Sequence, residues 1–187
     1  GLPTCFGDFQ ILVFKNSLDD KEHLAIVKGN VKGKKDVLLR IHSECLTGDV
    51  FGSKRCDCGE QLHNALHRVE DQGEGVVIYM RQEGRGIGLT NKIKAYALQE
   101  EGLDTVEANE KLGFPADMRE YHLAAQIIRY LGIESIRLMT NNPAKTHGLE
   151  DLGINISNRE PIVIEANDVN KDYLHTKAVQ MGHQLDD

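Results

Sequence analysis

Three of the chain's four cysteines, Cys45, Cys56 and Cys58, fall within residues 40–62, R-I-H-S-E-C-L-T-G-D-V-F-G-S-K-R-C-D-C-G-E-Q-L. Their arrangement is C-x10-C-x-C, with His42 and Glu44 just before the first thiol. Three chemistries fit thiols. A disulfide between Cys56 and Cys58 would be strained, because a single residue separates them. The first residues do not read as a signal peptide, so an oxidising compartment is not expected. Inert cysteine behaves as a small hydrophobe. That suits Cys5, in L-P-T-C-F-G, and fits poorly beside Arg55, Asp57 and Glu60. The remaining chemistry is zinc. Three thiolates plus water are the ligands of a catalytic site, whereas structural sites fill all four positions with protein. His42 is a candidate fourth ligand, and in that role it would close the site.

Other stretches carry charge at places where ligands bind. R-Q-E-G-R-G-I-G-L-T, residues 81–90, lies between a short apolar run at 75–80 and a helical pattern at 91–101 that Gly102 ends. Glycine-rich turns between strand and helix let backbone N–H groups approach phosphate. The segment is not Walker A, because no G-K-[ST] follows, nor the dinucleotide fingerprint, since Asn91 stands where a third glycine belongs. A flexible turn explains the glycines but not Arg81, Glu83 and Arg85 beside them. Further on, Asp117 and Glu120 form a capping-box pattern for a helix over 118–131 closed by Gly132. That accounts for Asp117 without chemistry. In T-N-N-P-A-K-T, Asn142 can cap a helix that Pro143 opens. Thr140 before it and Lys145 in its first turn make an anion site or simply a sound helix start. His63 and His67, four apart on a helix over 60–72, are read as surface histidines.

These groups need a framework. The chain has 187 residues and 40% hydrophobic content, which suits one globular domain with a real core. Strand patterns occupy residues 8–15, with Phe9, Ile11 and Val13 on one side, then 23–28, 37–42, 75–80 and 136–140, with further strands near Ile154 and at 161–166. Residues 103–115 read as a connecting loop. The expected fold is α/β, mixed β-sheet layers packed with helices. It forms a single catalytic domain over 1–166 and a helical tail over 167–187. A net charge of −7 argues against a general nucleic-acid binder. No apolar run approaches the length of a membrane span. A cytoplasmic protein is expected.

Four blocks together carry a family resemblance: R-I-H-S-E-C-L-T-G-D…R-C-D-C-G-E-Q-L, M-R-Q-E-G-R-G-I-G-L, D-T-V-E-A-N-E-K-L-G-F-P-A-D-M-R-E-Y and L-M-T-N-N-P-A-K. From about Pro3 to Pro161 the chain resembles GTP cyclohydrolase II, the first committed enzyme of riboflavin synthesis. The resemblance implies zinc on Cys45, Cys56 and Cys58. It implies a GTP site lined by Arg40, Ile41, His42, Ser43, Glu44, Gln61, Glu83, Gly84, Arg85, Thr105, Thr140 and Lys145. It makes Asp117 the proton acceptor and Arg119 the nucleophile, and places Tyr96 at the purine near the zinc. It further implies magnesium with the triphosphate, a homodimer, and frequent fusion to an upstream riboflavin-pathway domain.

The family reaction opens the guanine imidazole ring at C8 and releases formate and pyrophosphate. A metal supplies hydroxide for such a step, Tyr96 is a candidate for moving protons at the ring nitrogens, and Arg85 and Lys145 suit the triphosphate. Glu83 is a candidate acceptor for the adjacent N–H donors of guanine. A guanidinium is a poor nucleophile because it stays protonated, so Arg119 also fits a role in stabilising charge at the α-phosphate. Two other readings compete. His42-Ser43-Glu44 imitates the H-x-E of zinc nucleobase deaminases, although C-D-C stands where P-C-x-x-C is required. A non-catalytic zinc module would bind only a partner and would unfold without its metal.

Overall fold

The computed structural model of the chain describes residues 1–115, 117–164, 169–171, 174, 178–179 and 182. A seven-stranded mixed sheet, not closed into a barrel, runs in the order β1-β2-β3-β5-β4-β6-β7. The strands are β1 Leu2–Thr4, β2 Gly7–Phe14, β3 His23–Lys28, β4 Val37–Ser43, β5 Gly75–Met80, β6 Ile136–Met139 and β7 Ile156–Glu160. The first three meet their neighbours antiparallel. The pairs β4–β5, β4–β6 and β6–β7 are parallel. Helices α1 Leu46–Asp49, α2 Cys58–Gln72, α3 Gly88–Glu100, α4 Thr105–Lys111, α5 His122–Tyr130 and α6 Pro143–Glu150 link and cover the strands.

The central strand β5, G-V-V-I-Y-M, is a near-continuous apolar run, as strands covered on both faces are. Side chains alternate along each strand, and this alternation sorts core from site. On β4, Val37, Leu39 and Ile41 enter the core beneath α5, with Ala124, Ala125, Ile127 and Ile128. Leu38 points the other way, into the cluster where α2 contributes Ala65, Leu66 and Val69. Arg40 and His42 share that second side, and both are buried. The pleat thus separates Ile41, fully buried among apolar neighbours, from the two polar residues flanking it.

Several expectations give way. Residues 103–115 are not all loop, because α4 forms there under a complete capping box. Asp104 accepts from the Val106 and Glu107 amides at 2.7 and 2.9 Å, and Glu107 accepts from the Asp104 amide at 2.9 Å. Asp117 caps nothing. Helix α5 starts later, after Tyr121, because the Asp117 carboxylate is taken by Arg119. On β2 only Phe9 of the expected apolar side is buried; Ile11 and Val13 are exposed, while Leu12 and Phe14 pack on the core. Residues 161–164 are not strand, and 165–166 lie outside the described residues. So does most of the 167–187 tail.

Candidate functional site

The carboxyl ends of β4, β5 and β6 converge on one cavity of about 640 Å³. Open parallel sheets place ligands at that edge. Three chain reversals build its walls. After β4, Cys45 occupies the N-cap position of α1, and α2 begins at Cys58. After β5 comes a 3-10 turn, Glu83–Gly86. After β6, the Asn142 side chain accepts from the Ala144 amide at 3.0 Å and starts α6, with Pro143 at its first position.

The sulfurs of Cys45, Cys56 and Cys58 all lie within 4.8 Å of one another, and those of Cys45 and Cys56 are 3.7 Å apart. Zinc–sulfur bonds of about 2.3 Å in a tetrahedron put sulfurs roughly 3.8 Å apart, so the trio fits that ion. Among the described residues no other group of histidine, cysteine or carboxylate side chains converges in this way. Two glycines make the convergence possible. A Cβ on Gly48 would stand 2.9 Å from the Cys56 sulfur and 3.2 Å from that of Cys45. A Cβ on Gly59 would stand 2.4 Å from the Gly48 carbonyl oxygen.

His42 belongs to a different network. Its Nε2 meets Asp49 at 2.9 and 3.1 Å. The same carboxylate accepts from the Cys45 amide at 3.0 Å and from the Tyr79 hydroxyl at 2.7 Å. Asp49 therefore fixes the backbone of the first cysteine, and the imidazole is not part of the sulfur group. Burial holds His42 below the usual histidine range despite Asp49. Beneath the cluster, Arg40 donates to the Met139 carbonyl at 2.9 Å and to Gln61 at 2.6 Å. Gln61 donates in turn to Asp57 at 2.6 Å. Burial lowers Arg40 to about 10, so it remains a cation at neutral pH.

Helix α3 contributes Lys92 and Tyr96, four residues apart on one face. The Lys92 ammonium donates to the Cys45 sulfur at 3.0 Å, the Thr47 hydroxyl at 3.0 Å and Glu83 at 2.8 Å. Thr47 is 3.2 Å from the Tyr96 hydroxyl, and the Arg55 guanidinium lies over the Tyr96 ring at 4.8 Å. Burial raises the Tyr96 hydroxyl above its usual range, so it is protonated at neutral pH. Glu83 accepts from the Leu46 amide at 2.7 Å and the Gly84 amide at 2.9 Å as well as from Lys92. Both of its oxygens serve protein donors, which conflicts with a free chelating pair for guanine.

The glycine-rich turn is held in the left-handed region, with φ of 61° at Gly84, 60° at Arg85 and 96° at Gly86. Only glycine adopts this region without strain, and Arg85 does so at the cavity wall. Gly86 also makes room for residues 117–119. A Cβ there would be 3.0 Å from Met118 Cβ, and the Met118 amide donates to the Arg85 carbonyl at 3.0 Å. Arg119 grips Asp117 through Nε at 2.9 and 3.0 Å. Burial pushes the Asp117 carboxyl up, but Arg119 and then Arg85 outweigh it and hold the group below its ordinary range. On the opposite wall, Lys145 is buried and donates to the Ile41 carbonyl at 2.9 Å. The Ser43 hydroxyl is buried with no hydrogen-bond partner.

The cavity thus gathers Arg40, His42, Ser43, Glu44, the three cysteines, Gln61, Glu83, Gly84, Arg85, Tyr96, Thr105, Arg119, Thr140 and Lys145. Two expected residues are not on its lining. Ile41 offers only its carbonyl, to Lys145, and Asp117 stands behind Arg119. Lys92 and Asn141 also line the cavity, and Thr47 and Asp49 hydrogen-bond to Lys92 and to the Cys45 amide, outside the residues the sequence patterns single out. Of these, only Lys92 had a readable signal, its four-residue spacing from Tyr96. His63 and His67 are exposed and pack on Phe6, as surface residues.

Compared with known proteins, the chain matches the model of a family described as GTP cyclohydrolase II over residues 1–161. It is 60% identical over 184 residues to riboflavin biosynthesis protein RibBA of Bacillus mycoides, covering 98% of this chain and 46% of that protein. A protein of the same name from Bacillus cereus is 59% identical with the same coverage. The chain therefore spans about half the length of the curated relatives it matches. A solved structure titled RibBX, a two-domain 3,4-dihydroxy-2-butanone 4-phosphate synthase from A. baumannii, is 20% identical at a TM-score of 0.47, over 88% of this chain and 38% of that one. A likeness of that size bears on neither fold nor function.

Proposed function

The chain belongs to the GTP cyclohydrolase II family, and from that premise we propose that its cavity binds GTP and opens the guanine imidazole ring by hydrolysis at C8. The products are formate, pyrophosphate and 2,5-diamino-6-(5-phosphoribosylamino)pyrimidin-4-one, the first committed intermediate of riboflavin synthesis. The observation that carries this reading is the placement of three clustered sulfurs on the wall of a cavity rich in cations. In a chain of net charge −7, that cavity draws together Arg40, Arg55, Arg85, Lys92, Arg119 and Lys145 against Glu44, Glu83 and Asp104. Such a field suits a polyphosphate.

Cys45, Cys56 and Cys58 would hold zinc. A zinc ion with three protein ligands lowers the pKa of bound water to about 7 and acts as a Lewis acid. The chain's own groups do the rest. Tyr96, protonated and held by Thr47, is placed to give a proton to a ring nitrogen as the C8 bond opens. Arg85 and Lys145 pair with phosphate oxygens, and magnesium would enter with the triphosphate and neutralise part of its charge. The unsatisfied Ser43 hydroxyl gains a partner when the nucleotide enters. Arg40, His42, Glu44, Gln61, Gly84, Thr105 and Thr140 shape the nucleotide site around it. Glu83 serves by holding the loop and Lys92 in place. Arg119, fixed by Asp117, stabilises charge at the α-phosphate during pyrophosphate release. A trapped phosphoryl–arginine adduct would instead establish covalent attack, with Asp117 taking the proton.

The deaminase reading loses its H-x-E logic, because His42 is bound to Asp49 rather than grouped with the sulfurs. The experiment is to incubate metal-replete protein with GTP and magnesium and to assay formate, pyrophosphate and ammonia together. Formate and pyrophosphate should appear, and Cys56→Ser should abolish the formate. Ammonia without formate would refute the reading.

A further inference from the structure

A buried ammonium at a cluster of thiolates has a specific chemical consequence. Lys92 has three N–H donors, and the structure gives each a partner: Cys45 Sγ at 3.0 Å, Thr47 Oγ1 at 3.0 Å and Glu83 Oε1 at 2.8 Å. Its side chain is 12% exposed and that of Glu83 9%. Glu83 is itself pinned by the Leu46 and Gly84 amides. The ammonium therefore cannot swing away without leaving a buried carboxylate with two amide donors but no counter-cation, which is unfavourable. It is a fixed feature of the wall, unlike a surface lysine.

We propose that Lys92 is a positioning residue for the three-cysteine centre, setting the charge and the metal affinity of Cys45 through a permanent N–H···S hydrogen bond. The proposal rests on the three-cysteine metal reading above. Three thiolates exceed a dication by one negative charge, and Lys92 closes that excess. An ammonium hydrogen bond withdraws electron density from sulfur, so the metal keeps more of its Lewis acidity than three bare thiolates would leave it. Outer partners also hold metal ligands in orientation, and losing that hold together with the compensating charge typically weakens metal binding by roughly tenfold to a hundredfold, although the sulfur left behind is the better donor. Glu83 then has a defined purpose, since it anchors the lysine and ties the glycine-rich turn to α1. Thr47, the third acceptor, is 3.2 Å from the Tyr96 hydroxyl. One ammonium thereby fixes both the sulfur and the threonine that steadies the proton donor.

The test uses cobalt(II) and zinc on the full chain, with circular dichroism confirming the fold of each variant. Lys92→Met should bind zinc about tenfold to a hundredfold more weakly in chelator competition. Its sulfur-to-cobalt absorption should move to longer wavelength, since sulfur without the hydrogen bond is the better donor. Lys92→Arg, which keeps a cationic donor, should recover most of both. If Lys92→Met does not fold, Lys92→Gln is read by the same two measurements. Affinity within twofold of the parent and an unmoved absorption band would overturn the proposal, whatever happens to turnover. Absence of any thiolate–cobalt absorption in the parent protein would instead refute the three-cysteine metal reading itself.

Discussion

Ile41 and Gly48 show how much of this site is decided by a single atom's direction. Ile41 sits between Arg40 and His42, yet the pleat of β4 turns it into the core. Ile41→Val should cost about 0.5–1.5 kcal/mol of stability, as a buried methylene does, and leave KM for GTP unchanged. Denaturant unfolding and initial-rate kinetics would check both halves. Gly48 is the opposite case, a residue without side chain at the centre of the chemistry. Its added Cβ would press on two sulfurs at 2.9 and 3.2 Å. Gly48→Ala should destabilise by about 1–3 kcal/mol through overpacking and bring bound zinc well below one per chain, measured by metal analysis. Bland behaviour of Gly48→Ala would mean that the sulfurs do not close on an ion in this arrangement.

At the level of elements, Asp104-x-x-Glu107 and Asp117-x-x-Glu120 share one sequence pattern, and of these two only the first is a capping box. Asp104 and Glu107 complete the box at the start of α4, while Asp117 turns to Arg119. Asp104→Ala should cost about 1 kcal/mol, the usual value of a lost N-cap. Because Thr105 begins α4 at the cavity, KM for GTP should rise as well, with kcat less affected. Much else was legible. The strands at 23–28 and 75–80 follow their apolar patterns, α2 ends at Gly73 in the left-handed conformation, and Asn142 with Pro143 opens α6 as read. Motif order brought the cysteines, the glycine-rich turn and Lys145 to one place. What stayed hidden depends on long-range pairing. Thr47 and Asp49 look like ordinary polar residues until α1 folds beside β5 and α3. The Glu83–Lys92 bridge also cannot be read from local pattern, because Glu83 equally suits a ligand contact.

For the whole molecule, burial of two neutral histidines ties stability to acidity. Burial lowers both His23 and His42 from 6.5, and His23 accepts from the Arg81 amide at 3.0 Å. Below pH 6.5 the unfolded chain takes up protons that the folded chain refuses. Stability is therefore full above that pH and falls as pH drops toward the folded-state values, by up to about 1.4 kcal/mol per pH unit for each group. Urea midpoints at pH 7.5 and 5.5 should show this decline, and His23→Asn, which keeps an acceptor for Arg81, should reduce it. The most direct test is to remove zinc by chelation and then restore it, following circular dichroism and formate release from GTP in one preparation. The account predicts a folded apo-protein that releases no formate and recovers fully with one zinc per chain. Undiminished formate release without metal, or loss of the fold on chelation, would contradict it.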